Sequence, residues 1–455
     1  MIHYLKIKNF GPVRDKAELT FEVAGETDNE SYQVSMPDGR KLLKLAYIYG
    51  ANASGKTTVL KAFDFLRQLL LKPGTDKATP LQYEPFLFRN KPYTHSSQLE
   101  LSFYVDGIRY VYEVTFDKHT VISEKVVYYD TAKPTEFFSR STDKKKRLAT
   151  IDFGSKTKVP ARERNLLESN TLHNNTVIGA FAKTNVDIPL LEKLNKWFNS
   201  YLLGMLSGSD NLDNITIRMI DRDPLINSWL NLLMNKADRQ LTAVRVSDQF
   251  EYILIDHGLP NDIISRFFTQ GSNKMLSTTK MSSASNAAIA RELKYFGGGS
   301  GTPIQRKVDF VHTLPGDKNY ELSILAESSG TKKFFGLGGP LYDLVHNARL
   351  LCIDELETSL HPDLMKYFLQ VFLMNAKTSQ LLFTTHNITL MESTDFIRRD
   401  ALWFTGKKDD GSVDLYSAAD FDTGTLRKDA SLINAYKAGK LGAKPNLGSP
   451  YLSEE

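Results

Sequence analysis

Apolar and polar positions alternate through the opening of the chain. Ile2, Tyr4, Leu5, Ile7 and Phe10 lead to a break at Gly11-Pro12, and a second apolar stretch runs from Ala17 to Val23. A period near two, punctuated by Gly-Pro, predicts a β-rich start. Further strands are expected at 97–105, 108–116 and 121–130, with Asp106-Gly107 as the hairpin turn between the first two. The charged run 142–147 reads as an exposed loop. From about residue 165 to 265 the period becomes helical: Leu190, Leu191, Leu194, Trp197, Phe198 and Tyr201 share one face and read as core. Residues 271–301 are rich in Ser, Gly, Thr, Asn and Lys, which suits a connection around a helix at 286–296. Strand-like pattern returns at 307–313 and 320–326. There is no internal repeat and no sustained heptad, so no long coiled coil is expected.

Two segments turn this pattern into chemistry. Lys44 to Tyr49 is strand-like, Val59 to Leu71 is helix-like, and between them runs Gly50-Ala51-Asn52-Ala53-Ser54-Gly55-Lys56-Thr57. This is G-x-x-x-x-G-K-[ST] between a strand and a helix. Its glycines let backbone N–H groups of Asn52, Ala53, Ser54 and Gly55 turn inward around phosphate oxygens. The helix that follows, with Thr57 and Thr58 in its first turn, points its positive dipole end at the same anion. Lys56 would reach the β- and γ-phosphates, and the Thr57 hydroxyl would sit on Mg²⁺. The second segment, Arg349-Leu350-Leu351-Cys352-Ile353-Asp354-Glu355, is an apolar run ending in two carboxylates. It suits a parallel strand buried on both faces, with Asp354 holding Mg²⁺ through water and Glu355 polarising the attacking water. About 300 residues separate Lys56 from Asp354, so the nucleotide-binding lobe would be assembled from both ends of the chain.

These residues resemble the ABC/SMC-type ATPases, whose head is split by an insertion. Glu327-Ser328-Ser329-Gly330-Thr331, ahead of a helix-like 332–347, is similar to the family's signature motif without its second glycine. The resemblance implies that Ser329 and Gly330 contact the γ-phosphate held by the opposite subunit; read alone, the segment equally suits a helix N-cap by Ser328 or Ser329. Glu357-Thr358-Ser359-Leu360-His361-Pro362 resembles the D-loop, and the strand ending at His386 resembles the one that carries the switch histidine. Gln82 is the candidate Q-loop glutamine and third residue at the metal. Together with the closing Ala435-Tyr436-Lys437-Ala438-Gly439-Lys440-Leu441-Gly442-Ala443-Lys444-Pro445, these motifs resemble the RloA/AbiL-type AAA-ATPases. Those are relatives of the overcoming-lysogenization-defect (OLD) ATPases of bacterial anti-phage systems.

The resemblance implies an α/β fold: an ABC/SMC-like P-loop ATPase head, with a parallel sheet core and an antiparallel β subdomain, split by a mainly helical insertion. The expected division is 1–164 and 306–455 for the two halves of the head and 165–305 for the insertion. It also implies ATP and Mg²⁺ as cofactors, and a homo-oligomer built from head-to-tail ATP-sandwich dimers. The implied function is a sensor or scaffold ATPase of abortive-infection type that controls a separate effector chain. The OLD proteins' Toprim nuclease does not fit in the roughly 70 residues after His386. The rival is an SMC/RecF-like DNA-repair or chromosome-maintenance ATPase that clamps DNA. A transporter ATPase subunit fits the divergent signature and the large insertion less well.

Composition adjusts this picture only at the edges. A chain of 455 residues exceeds one compact core. Its 57 basic and 53 acidic residues, net +4, are too balanced to argue for nucleic acid by themselves. Near the C-terminus Arg427, Lys428, Lys437, Lys440 and Lys444 suit a docking tail, a phosphate-backbone contact or a solvated helix. A lone cysteine, no apolar leader and no bilayer-length apolar stretch lead to the expectation of a cytoplasmic protein without a membrane partner.

Overall fold

A computed structural model describes residues 1–25, 30–249, 305–316, 318–392, 398–421 and 431–444. The chain forms two compact units, Met1–Asp210 with Leu341–Glu455, and Asn211–Pro340.

The first unit begins with β1 (Ile2–Lys8), β2 (Ala17–Thr20), β3 (Gln33–Ser35), β4 (Lys41–Leu43) and β5 (Leu45–Gly50), followed by α1 (Lys56–Leu71). Then come β6 (Ser97–Val105), β7 (Ile108–Phe116), β8 (Val121–Tyr129), β9 (Thr135–Asp143) and β10 (Leu148–Phe153). Among the described residues, seven of these form an antiparallel sheet in the order β10-β9-β8-β7-β6-β1-β2. Along β7, Tyr110, Tyr112, Val114 and Phe116 are buried while their neighbours are half-buried, the period-two pattern of a one-faced sheet. Asp106 and Gly107 both have positive φ, 48° and 78°, as a two-residue hairpin of matching twist requires. The charged run departs from expectation. Thr142 and Asp143 extend β9, paired with Ala149 and Leu148, so the exposed turn shrinks to residues 144–147. Three helices complete this part: α2 (Ala161–Asn170), α3 (Val177–Phe181) and α4 (Pro189–Tyr201).

The second sheet draws on both ends of the chain. It contains β11 (Leu206–Ser207), β15 (Leu350–Asp354), β16 (Gln380–Thr384), β17 (Leu402–Lys407) and β18 (Val413–Ser417), in the order β11-β15-β16-β5-β17-β18. All pairings from β11 to β17 are parallel, and β18 is an antiparallel edge. β5 and β16 are buried throughout and β15 along all but its last residue, which explains their unbroken apolar sequences. Helix α1 is buried on most sides. Phe65 on α1, Phe10 after β1, Tyr83 and Phe116 on β7 form one aromatic cluster with ring centroids 4.8–5.8 Å apart. Phe103 on β6 stacks on Trp197 of α4 at 4.3 Å. Gln380, fully buried, ties three elements: its Oε1 accepts from Ile2 N and Tyr201 Oη, and its Nε2 donates to Ile2 O and Leu43 O. Lys44 donates from Nζ to Leu373 O and Ala376 O, satisfying carbonyls at the end of α8 (Pro362–Asn375).

The second unit contains α5 (Leu212–Arg222), α6 (Leu225–Ala237), β12 (Leu241–Gln249), β13 (Gln305–Leu314), β14 (Lys318–Ser323) and the start of α7 (Ser329–His346). It differs from the expected helical segment 165–305 in two ways. Helices α2 to α4 belong to the first unit, where the Leu191-Leu194-Phe198-Tyr201 face of α4 is buried. β12 is a strand where helix was expected; its register shifts between Leu241 and Ala243 and is regular from Ala243 to Gln249. Strands β12, β13 and β14 form an antiparallel sheet. Helix α7 meets α5 through glycine: a Cβ on Gly336 would lie 2.7 Å from Leu212 Cβ, and Thr216 Oγ1 donates to Gly336 O at 2.6 Å. The helix expected at 286–296 lies outside the described residues. Near the C-terminus, Lys437 on α9 (Leu432–Lys437) and Lys440 are exposed, Lys444 donates from Nζ to Lys437 O, and Arg427 and Lys428 lie outside the described residues.

Candidate functional site

The phosphate loop is shaped by what its backbone excludes. A Cβ at Gly50 would stand 2.2 Å from Thr405 Oγ1 and 2.4 Å from Ser54 Oγ, so only glycine fits at the end of β5. Ala53 and Gly55 have φ of 59° and 88°, the left-handed turns that aim successive N–H groups inward. No side chain caps the N-terminus of α1, so its first donors are left for a ligand. A cavity of about 450 Å³ opens there, lined by residues 52–58 with Pro12, Glu355 and His386.

Lys56 is only 7% exposed, and its Nζ donates to Gly50 O at 2.9 Å and Ala51 O at 3.0 Å. Burial lowers its pKa, against the opposing pull of Asp354, Glu355 and Glu357. A buried ammonium held only by carbonyls is suited to receive an anion. Thr57 Oγ1 donates to both carboxylate oxygens of Asp354, at 3.1 and 3.0 Å. Thr384 Oγ1 donates to Asp354 Oδ1 at 2.6 Å and accepts from Glu355 N at 2.8 Å, fixing the acidic pair at the end of β15. Glu355 has φ of 53°, uncommon for a residue with a side chain, and its exposed carboxylate lines the cavity. His386, exposed just beyond β16, lines it as well, and its backbone N–H donates to Glu357 Oε1.

This donor set fits a nucleotide with a hard divalent cation. One hydroxyl and one carboxylate, Thr57 and Asp354, meet beside a phosphate loop, and such a cation takes its remaining ligands from phosphates and water. Among the described residues no cluster of three or more His, Cys, Asp or Glu side chains makes an all-protein metal cage.

The structure therefore brings Asn52 to Thr58, Glu355 and His386 around one cavity, with Asp354 bonded to Thr57 and Gly50 O to Lys56 behind that lining. Gln82 is a correction. It is exposed, donates to Pro80 O at 3.2 Å, and lines a separate hollow with Lys72, Pro73 and Gly74 at the C-terminal end of α1. That hollow shares no residue with the phosphate-loop cavity, so the structure does not bring Gln82 to Thr57 and Asp354. Ser329 and Gly330 open α7 in the second unit; Ser328 caps that helix through Thr331 N at 3.0 Å, leaving Ser329 exposed. Pro12, Thr384, Thr405 and Glu357 were not read from the sequence as site residues. Thr405, whose Oγ1 bonds Ser54 Oγ at 2.6 Å, lies 351 positions away along the chain, and no local pattern marks it.

Fold and site together define a P-loop ATPase class, with a parallel core and an antiparallel sheet assembled from both ends of the chain. The family described as "AAA domain, putative AbiEii toxin, Type IV TA system" matches residues 45–392, from β5 to just past His386, and the chain belongs to it. A comparison with curated proteins finds no match. Among solved structures, this chain is similar to the SMC head domain from Thermotoga maritima, at 12% identity and a TM-score of 0.39, covering 91% of this chain and 98% of that one. The SMC head bound to the C-winged helix domain of ScpA matches at 14% identity and a TM-score of 0.39, covering 91% and 97%. The SMC head with an extended coiled coil, bound to the C-terminal domain of ScpA derived from Pyrococcus furiosus, matches at 13% and 0.38, covering 97% and 99%. No described helix is long and apolar enough to cross a membrane.

Proposed function

We propose that this chain binds ATP with Mg²⁺ and hydrolyses it, and that this cycle controls a separate toxic effector in an anti-phage system of abortive-infection type. The observation that carries the ATPase reading is that Lys56, Thr57, Glu355 and His386 line one cavity and that Asp354 is bonded to Thr57. Thr57 and Asp354 would hold the cation, which when bound supplies charge neutralisation for the phosphates. Lys56 exchanges its two carbonyl partners for phosphate oxygens. Glu355 orients a water and accepts its proton, while Thr384 keeps the Glu355 backbone in place. His386 lines the same cavity as Glu355 and would contact the terminal phosphate.

The defence role rests on the RloA/AbiL- and OLD-like motifs at 327–331, 357–362 and 435–445, and on a family description that names a type IV toxin–antitoxin system. That description leaves two places for the toxin, in this chain or beside it; the ATPase motifs supply the only reaction we assign to the described residues, so we place the toxic activity in a partner. Purified chain should release phosphate from ATP with Mg²⁺ and should not cleave DNA or RNA. Expressed alone it should leave growth unaffected, and with its native neighbouring genes it should arrest growth only when Lys56 is intact. Arrest by the chain alone would make it the toxin, and strong stimulation of turnover by duplex DNA would favour the DNA-clamping rival. The head-to-tail dimer is tested by mixing Ser329→Arg with Lys56→Ala. Each is expected to be inactive, and a mixed dimer keeps one complete composite site. No recovery after demonstrated subunit exchange removes the shared-site reading.

A further inference from the structure

We infer that Glu357 is a positioning residue for hydrolysis, acting through His386; this deepens, and rests on, the ATPase reading above. Glu357 follows the acidic pair in a turn pinned by Leu356 N to Thr384 O and Leu360 N to Glu357 O. Its Oε1 accepts from the backbone N–H of His386 at 2.5 Å. The next residue is held as well, by Tyr49 Oη donating to Asn387 O. Two side chains from two other segments of the sheet thus grip the backbone that carries the histidine. Glu357 itself is absent from the cavity wall, so it acts on that wall through its neighbour.

Its other oxygen makes the case against a purely structural role. Glu357 Oε2 is buried and has no hydrogen-bond partner, although the charge lies near enough to act on both Lys56 and Tyr49. Leaving a carboxylate oxygen buried and unpaired is costly, so the Oε1 bond to His386 N–H is kept at the expense of Oε2. Such costs persist where a fixed geometry is needed for function.

The test compares steady-state ATP turnover of the full chain with the variants Glu357→Gln, Glu357→Ala, His386→Ala and Glu357→Ala/His386→Ala. Glu357→Ala is expected to lower kcat by about 10- to 100-fold, the usual effect of a misplaced catalytic group, with KM and affinity for a fluorescent ATP analogue changed by no more than about twofold. Glu357→Gln should recover most of the rate, because its amide oxygen still accepts from His386. The double variant should be no slower than His386→Ala. If Glu357→Ala does not fold, as a melting curve shows, Glu357→Gln alone and on the His386→Ala background decide the matter. Glu357 would not act through His386 if the losses multiply, or if Glu357→Gln is as slow as a folded Glu357→Ala or, where that variant fails to fold, falls about tenfold or more below wild type. Wild-type turnover with either result overturns this inference alone. Absence of wild-type turnover overturns the ATPase reading and the inference with it.

Discussion

At its first turn, helix α1 leaves backbone donors uncapped, with Lys56 and Thr57 lining an open cavity; at its last turn, polar side chains bond the backbone. There Thr176 Oγ1 donates to Leu69 O, Asn174 Nδ2 to Asp76 O and Thr79 O, and Asn175 Nδ2 to Gly74 O. Beneath them Glu124 accepts from Val177 N, and Arg140 donates to Val121 O, Leu172 O and His173 O. Both ends hold buried polar residues. What separates a binding site from a structural clasp is what the helix end leaves open: uncapped backbone N–H groups beside about 450 Å³ at one end, carbonyls already taken by side chains at the other. A glutamine beside the clasp, such as Gln82, inherits its context and not that of the phosphate loop.

The largest test of this contrast is Lys56→Ala, which should abolish ATP binding and leave the melting temperature nearly unchanged. Titration with a fluorescent nucleotide measures the first and calorimetry the second; wild-type affinity would take Lys56 out of the site. Next in size is Glu355→Gln. It should bind ATP normally and turn over about 10²–10⁴-fold more slowly, because the water loses its oriented acceptor while Asp354 and Thr57 are untouched. Near-normal phosphate release would place the base elsewhere.

The clasp should respond to pH instead of nucleotide. Burial raises the Glu124 pKa from 4.5 to about 7, against the pull of Arg140, Val177 N–H and Tyr112. The folded state therefore holds this proton more tightly than the unfolded chain. Stability from this group is fully present below about pH 4.5, falls as pH rises toward 7, and levels off above that. Melting temperature should fall across that window in the wild type more than in Glu124→Gln, and parallel curves for the two proteins would refute the assignment. The smallest effect belongs to Gln82→Ala: turnover, metal dependence and nucleotide affinity should all stay within experimental scatter. A clear rise in the Mg²⁺ requirement would return Gln82 to the metal.

Legibility in the sequence followed the range of the interaction. β6 and β7 were readable to the residue because burial alternates along β7 and the first half of β6, and Asp106-Gly107 admits only a tight turn. The phosphate loop was readable because its demands lie within eight consecutive residues. β12 was missed because its short alternating run, Val244-Arg245-Val246-Ser247, follows two helices directly, and α4 was assigned to the wrong unit because a helical face does not reveal what it packs against.

By itself, then, the sequence determined the local devices: the left-handed turns of the phosphate loop, the apolar strand ending in Asp354 and Glu355, and the hairpins of the antiparallel sheet. The sequence also put Thr57 and Asp354 at one metal; only the tertiary structure decided that they bond directly across 297 positions, that Thr384 and Thr405 brace the site, and that Glu357 holds His386. The reason is physical. A strand buried on both faces is apolar whichever neighbour it has, so the order β15-β16-β5-β17, which sets every one of those meetings, has no periodic trace in the chain.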